Sequence, residues 1–380
     1  MIVEQFIHWV ITATPEKRAK ATQALARAFL RSDFEPEDMD AAEAAMTFLL
    51  DDPHTSVRMA LAEVLGGAEN APRHIILGLL DDVEEIGALI AARSPILIDS
   101  ELVDIIAIRE LTFQRAVAGR RPLSVGVSAA IAEVSSYEVC LLLLENTHAD
   151  ILPSALLRLT ERFGDDFKMQ QLLLEDQRLP IAARQMIVAT LSDELCRHAV
   201  NESHMDNEQA EEVAREARDR ATLTLARDID DSEVPDLLLH LRDTEQLTTV
   251  LMLRAICAGQ ISFFVEALAL LSAVDSSRVM ALLKDNSNKG LYTLYIKAGL
   301  PEEAYPAFSI AFEVYMEEGE VLDSTDQYRF TRIMIERVLD RYRGQQFDGV
   351  GELLAMLRRF ASETARDAAR NYVNLQISAA

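Results

Sequence analysis

The chain has 380 residues, with 37 Lys and Arg against 62 Asp and Glu, a net charge of −25 with histidine neutral. Its 14 glycines and 11 prolines are roughly half of ordinary usage, and 49% of its residues are hydrophobic. Together these exclude collagen-like, low-complexity and disordered classes and favour a helical protein. The charge also argues against nucleic acid, because holding a phosphate backbone takes clustered Lys and Arg.

Residues 325–380 depart from this balance, with nine Arg against seven acids, which is too even for a nucleic-acid footprint. Cys140, Cys196 and Cys257 are widely spaced with no CxxC pair. They predict reduced, buried thiols rather than a disulfide framework or zinc ribbon. Met1–Val10 contains Glu4 and no basic residue, so a signal n-region is missing. No apolar run approaches the ~18 residues of a membrane span. A cytoplasmic protein without membrane contact is expected.

In chain order, the first informative stretch is Leu49 to Leu65. Pro53 follows Asp51-Asp52 and is expected in the first turn of a helix. Val57, Ala60, Leu61, Val64 and Leu65 then form one apolar helical face, and Gly66-Gly67 ends it. The pattern returns at Leu79-Leu80-Asp81-Asp82 with Ile86, Leu89 and Ile90, closed by Ser94-Pro95. Leu141–Leu144 and Pro153–Phe163 predict another helix pair, with Leu152, Leu156, Leu159 and Phe163 on one face. A looser copy runs from Leu172 to Asp176 and on through Pro180–Arg184, Met186, Ile187 and Leu191. Self-similarity at this scale predicts stacked helical hairpins.

Asp52-Pro53 with Val57-Arg58 and Ala60 resembles the HEAT-repeat signature, in a short bacterial variety, over roughly residues 40–195. The resemblance implies an all-α fold, an α-α superhelix of helical-repeat solenoid type. It also implies that Arg58 bonds the neighbouring repeat, so Arg58→Ala should destabilise this array more than Arg18→Ala.

Glu211/Arg215 and Glu216/Arg220 are i,i+4 pairs on a polar helix from Asp206 to Arg227. An acidic turn, Asp228–Glu233, follows. This segment reads either as a connecting helix between two arrays or as another repeat helix. Short helices are then expected over Val234–Leu241, Leu247–Cys257, Ser262–Leu271, Ser277–Lys284 and Asn288–Ala298, with Gly299 as a C-terminal cap. Gly259–Ala269 and Lys297–Pro301 resemble a bacterial family of uncharacterised, HEAT-like helical proteins over roughly residues 235–310, a family that brings no catalytic residue with it. Ser324 and Gln327 form a capping box for a helix to about Tyr342. Gly344 breaks that helix, and a last amphipathic helix runs from Phe347 to about Tyr372. The expected organisation is repeats over 1–205, a connecting helix and turn over 206–233, a second array over 234–323 and terminal capping helices over 324–380.

Chemistry is hard to find. There is no glycine-rich phosphate loop, GxSxG elbow or HExxH. His198 and His204 beside Cys196 and Asp206 are wrongly spaced for convergence on one helix. The acidic run from Asp228 has Glu233 and Leu239 where an EF-hand needs Gly and Glu. Asp51-Asp52, Asp81-Asp82 and Asp165-Asp166 recur at repeat turns, which predicts helix capping rather than acid/base pairs. No catalytic residue, metal or cofactor is expected.

The function expected is that of a non-enzymatic protein–protein interaction scaffold or regulatory adaptor. Its partner would carry a basic segment, and Phe263, Phe264, Tyr292 and Tyr295 would supply aromatic anchors. The C-terminal helices are expected to cap the array or to join a second copy as a homodimer. The alternatives are a HEAT-like nucleic-acid-binding or base-processing protein and a small-ligand or second-messenger receptor.

Overall fold

A computed structural model describes residues 9–10, 12–31, 36–203, 206–284, 288–318, 327–343 and 351–378. Among them the fold is all-α, with no strand and one isolated bridge between Leu123 and Ala149. The chain forms two compact units, 1–183 and 184–380. The division falls in the first turn of a long helix starting at Ile181.

In the first unit, α1 (Pro15–Arg31) and α2 (Pro36–Phe48) precede a 3-10 turn at Leu49–Asp51. Then come α3 (Thr55–Leu65), α4 (Arg73–Leu80), α5 (Glu84–Arg93), α6 (Asp99–Ile108) and α7 (Leu111–Ala118). They are followed by α8 (Val125–Val134), α9 (Tyr137–Glu145), α10 (Pro153–Phe163) and α11 (Phe167–Glu175). Most of these helices pack on the next but one. One row runs α3, α5, α7, α9, α11 and the other α6, α8, α10. The predicted apolar faces do this work: Val57, Leu61 and Leu65, then Ile86 and Ile90, then Val139 and Leu143 are all fully buried. Each such side chain contributes roughly 1.5–3 kcal/mol. Gly87 permits a close approach, since a Cβ there would lie 2.6 Å from the Leu80 carbonyl oxygen and 2.8 Å from the Phe113 ring.

Two sets of polar bonds lock the rows. In the first, carboxylates at turns between helices each bond a local backbone N–H and a side chain from an earlier helix. Asp52 accepts from His54 N–H at 2.9 Å and takes both Arg18 bonds at 2.8 Å. Asp82 accepts from Val83 N–H and takes Arg58 at 2.6 and 2.8 Å. Asp166 caps α11 through Met169 N–H and accepts the Tyr137 hydroxyl. In the second set, side chains reach back to the bare C-terminal carbonyls of a preceding helix in the row. Arg120 donates to the Ala91 and Ser94 carbonyls at the end of α5, and Arg162 to the Ala132 and Ser135 carbonyls at the end of α8. Asn146 donates to the Ala118 carbonyl, which closes α7.

Two expectations need correction. Pro53 does not enter α3, because the Asp52 carboxylate holds the His54 N–H and keeps the chain extended until Thr55. Arg18 is no idle surface charge: it clamps Asp52 as Arg58 clamps Asp82.

The second unit comprises α12 (Ile181–Ser203), α13 (Asn207–Asp228), α14 (Val234–Asp243), α15 (Thr249–Cys257), α16 (Ile261–Ser272) and α17 (Ser276–Lys284). It continues with α18 (Asn288–Lys297), α19 (Tyr305–Glu318), α20 (Gln327–Arg343) and α21 (Gly351–Ser378). Asp206 caps α13 through Gln209 N–H, and Thr248 caps α15 through Leu251 N–H. Gly299 stands just beyond α18 at φ +71°, where a left-handed residue ends a helix. At the centre is α16, touched by α14, α15, α17 and α18, while α15 also meets α19 and α20. The capping-box residue Ser324, the breaker Gly344 and the helix start Phe347 lie outside the described residues, as does His204.

The terminal helices pack within this unit, α20 on α19 and α21 on α20. Two of their arginines meet the unit's own acids: Arg341 pairs with Glu313 and Glu317, and Arg359 with Glu212 and Glu216.

Candidate functional site

The residues expected as exposed anchors are mostly core. Phe263, Phe264 and Tyr295 are buried, and only Tyr292 is open, at 46% exposure. Successive phenylalanines both bury because α16 is packed from several sides at once. Tyr295 sits against Tyr305 and Phe308, its hydroxyl donating to the Pro301 carbonyl at 2.8 Å. Even Tyr292 spends its ring edge-to-face on Tyr305. This aromatic cluster closes α16, α18 and α19 together.

The chemically unusual residue is Arg254. In α15 every residue from Leu251 to Cys257 is buried, and the arginine is fully so. A guanidinium taken out of water needs opposite charge, and α13 presents it on one face, at Glu216 and Asp219. Arg254 Nη2 lies 3.5 Å from Glu216 and Nε 3.8 Å from Asp219. Its Nη1 donates to the Glu216 main-chain carbonyl at 3.4 Å, and the group stacks over Phe360 at 5.3 Å. These ion pairs are loose: among the described residues, Nε and Nη2 have no hydrogen-bond acceptor. Arg359 Nε meanwhile holds Glu216 at 2.7 Å.

The carboxyls respond to this crowding. Burial pushes Asp219 up to about 6, against the pull of Arg254, Arg215 and Arg218. Burial likewise raises Glu363, opposed by Arg220 at 3.0 Å and reinforced by the neighbouring Glu216. Glu216, Asp219, Arg254 and Arg359 also line a cavity of about 610 Å³. Its carboxylates are Glu208, Glu211, Glu212, Glu216, Asp219 and Glu303. Against these six stand three guanidiniums, Arg215, Arg254 and Arg359. The wall is therefore acidic.

The first unit carries a different surface. Where α6 gives way to α7, α8 to α9 and α10 to α11, large apolar side chains face outward. Ile108 is 80% exposed and Phe167 78%, with Val134 and Leu111 also open. Leu111, Val134, Tyr137 and Phe163 line a cleft of about 750 Å³ along this edge. Two of the three thiols are core as expected: Cys140 and Cys257 are buried, and burial raises both above the ordinary range, while Cys196 is only half-buried. Among the described residues, no three His, Cys, Asp or Glu side chains are grouped to hold a metal ion. No described helix is long and apolar enough to cross a membrane.

Sequence reasoning passed over Arg254, though a signal was present. A single arginine inside Leu251-Met252-Leu253-Arg254-Ala255-Ile256-Cys257 has to find buried partners, and the "polar connecting helix" offered them at i and i+3.

Fold and site together define an all-helical protein of two units, one with an apolar edge and the other with an arginine-centred acidic cavity. The chain belongs to a family of uncharacterised proteins conserved in bacteria, DUF2336, whose model matches residues 87–348. That span includes Ile108, Phe167, Glu216, Asp219 and Arg254. No curated protein and no solved structure matches the chain.

Proposed function

We propose that this protein is a non-enzymatic interaction scaffold, its first unit a HEAT-like α-α superhelix that seats a protein partner along the exposed edge of its helix rows. The observation that carries this reading is the repetition of open apolar residues at successive turns, Ile108, Leu111, Val134 and Phe167. Scattered single apolar residues mean little, but a contiguous line of them is the usual mark of a docking surface. Stacked repeats supply such lines because each repeat presents the same edge. With a net charge of −25, the partner is expected to flank its apolar anchors with basic residues, which steer association and make it salt-sensitive.

The same acid surplus weighs against a nucleic-acid role. Self-association through the C-terminal helices has less to drive it, since Arg341 and Arg359 are engaged by acids of their own unit. The test is a pair of captures from bacterial extract, with the wild-type chain and with an Ile108→Glu, Phe167→Glu variant. Both side chains are mostly exposed, so the variant should keep full helicity by circular dichroism. Partners retained by the wild type should be lost by the variant, with affinity down at least about tenfold. Equal capture by a folded variant would refute the assignment.

A further inference from the structure

We propose that the acidic cavity of the second unit is a receptor site for a protonated amine or guanidinium, presented by a lysine or arginine side chain or by a free polyamine. The surplus of carboxylates on its wall is one ground, but acids alone are commonly solvated. The second and independent ground is Asp219. Its side chain is only 8% exposed, and its nearest cation, Arg254 Nε, stands 3.8 Å away, beyond hydrogen-bond distance. No hydrogen bond to this carboxylate exists among the described residues.

A buried carboxylate without a donor is costly, and it faces a cavity of about 610 Å³, roomy enough for an alkylammonium chain. Arg254 stops short of supplying that donor, its Nε standing 3.8 Å from the carboxylate. It is drawn toward Glu216 as well as Asp219, and its Nη1 is engaged by the Glu216 main-chain carbonyl. An incoming ammonium or guanidinium would bring the missing donors to Asp219. Glu208, Glu211 and Glu303, exposed at the mouth, would attract it from solution.

Binding should also be tied to proton release. Asp219 is faced by Arg215, Arg218 and Glu216 from its own helix and by Arg254 from α15. Arg359 from α21 completes the wall. A cation is held by the ionised carboxylate, so affinity should fall as the pH drops through about 6. This site is in the second unit and does not depend on the apolar edge of the first.

The test uses the full chain and two probes, a fluorescein-labelled nonapeptide with alternating arginine and glycine, read by anisotropy, and spermidine, read by calorimetry. At pH 7.5 and low salt at least one should bind, and Asp219→Asn should weaken it about tenfold or more. Moving to pH 5 should weaken wild-type binding about tenfold. Glu208→Gln with Glu303→Gln, on exposed side chains that leave the fold alone, should weaken it several-fold and flatten its salt dependence. Binding of the peptide alone makes a protein segment the source, and binding of spermidine alone makes it a free polyamine. Failure of both probes to bind, or binding indifferent to the rim variant and to pH, would overturn the proposal even if Asp219→Asn proved unfolded.

Discussion

At the scale of single residues, arginine decides most of the polar architecture. With 37 Lys and Arg in all, the described structure gives its inward-reaching tasks to guanidinium, whose planar fork suits paired acceptors. Arg58 illustrates this: two bonds to Asp82 and one to the Asp52 carbonyl tie three turns together. Arg58→Ala should therefore cost about 1.5–3 kcal/mol, and Arg18→Ala should lower the melting temperature by a comparable amount, because it leaves Asp52 in the same position. Thermal unfolding of the two variants side by side checks this, and a silent Arg18→Ala would contradict it.

Titration should separate the two units. Asp52 and Asp82 are pulled below the usual carboxylate range, where the Arg18 and Arg58 bonds overcome burial. Their contribution is full above about pH 4 and is lost only in stronger acid. Asp219 behaves oppositely. Its folded carboxyl titrates near 6, above the unfolded value of about 3.9, so the folded chain holds the extra proton and gains stability as the pH falls from 7 toward 4. The prediction is a melting transition of the second unit that rises between pH 7.5 and 5.5, while that of the first stays level. Differential scanning calorimetry would show this, and the rise should be flattened in Asp219→Asn.

At the scale of elements, the helices were largely legible and their joints were not. Val57, Leu61 and Leu65 announce α3, and Pro153 with Leu156 and Leu159 announces α10, because periodic burial is a local property of the sequence. Arg120 gives no such sign. Its role is to donate to the Ala91 and Ser94 carbonyls of a helix 26–29 residues earlier, and nothing in its neighbours reveals that reach. The last carbonyls of a helix lack internal partners, and here a later helix of the row supplies them. Arg120→Ala and Arg162→Ala should each cost about 1–3 kcal/mol, with the loss localised. Amide exchange should accelerate at the C-terminal turns of α5 and α8 respectively, and unchanged protection there would contradict the joint.

At the scale of the whole molecule, composition spoke plainly about class and imprecisely about site. Low glycine and proline pointed to helices, and helices are what the described residues form. Aromatic content at α16 and α18 pointed to an anchor, yet Phe264 is core because four neighbouring helices enclose α16, and Tyr295 because Tyr305 and Phe308 cover it. Burial of this kind depends on contacts distant in sequence. The apolar edge was hidden for a related reason, since Ile108 and Phe167 sit at helix ends where periodicity is weakest. The claim that ties the account together is that this edge holds a protein partner, and hydrogen exchange on the full chain with a captured partner tests it most directly. New protection is expected at the three turns 108–111, 134–137 and 163–167 together. Protection confined to other segments, with these turns exchanging as in the free protein, would contradict it.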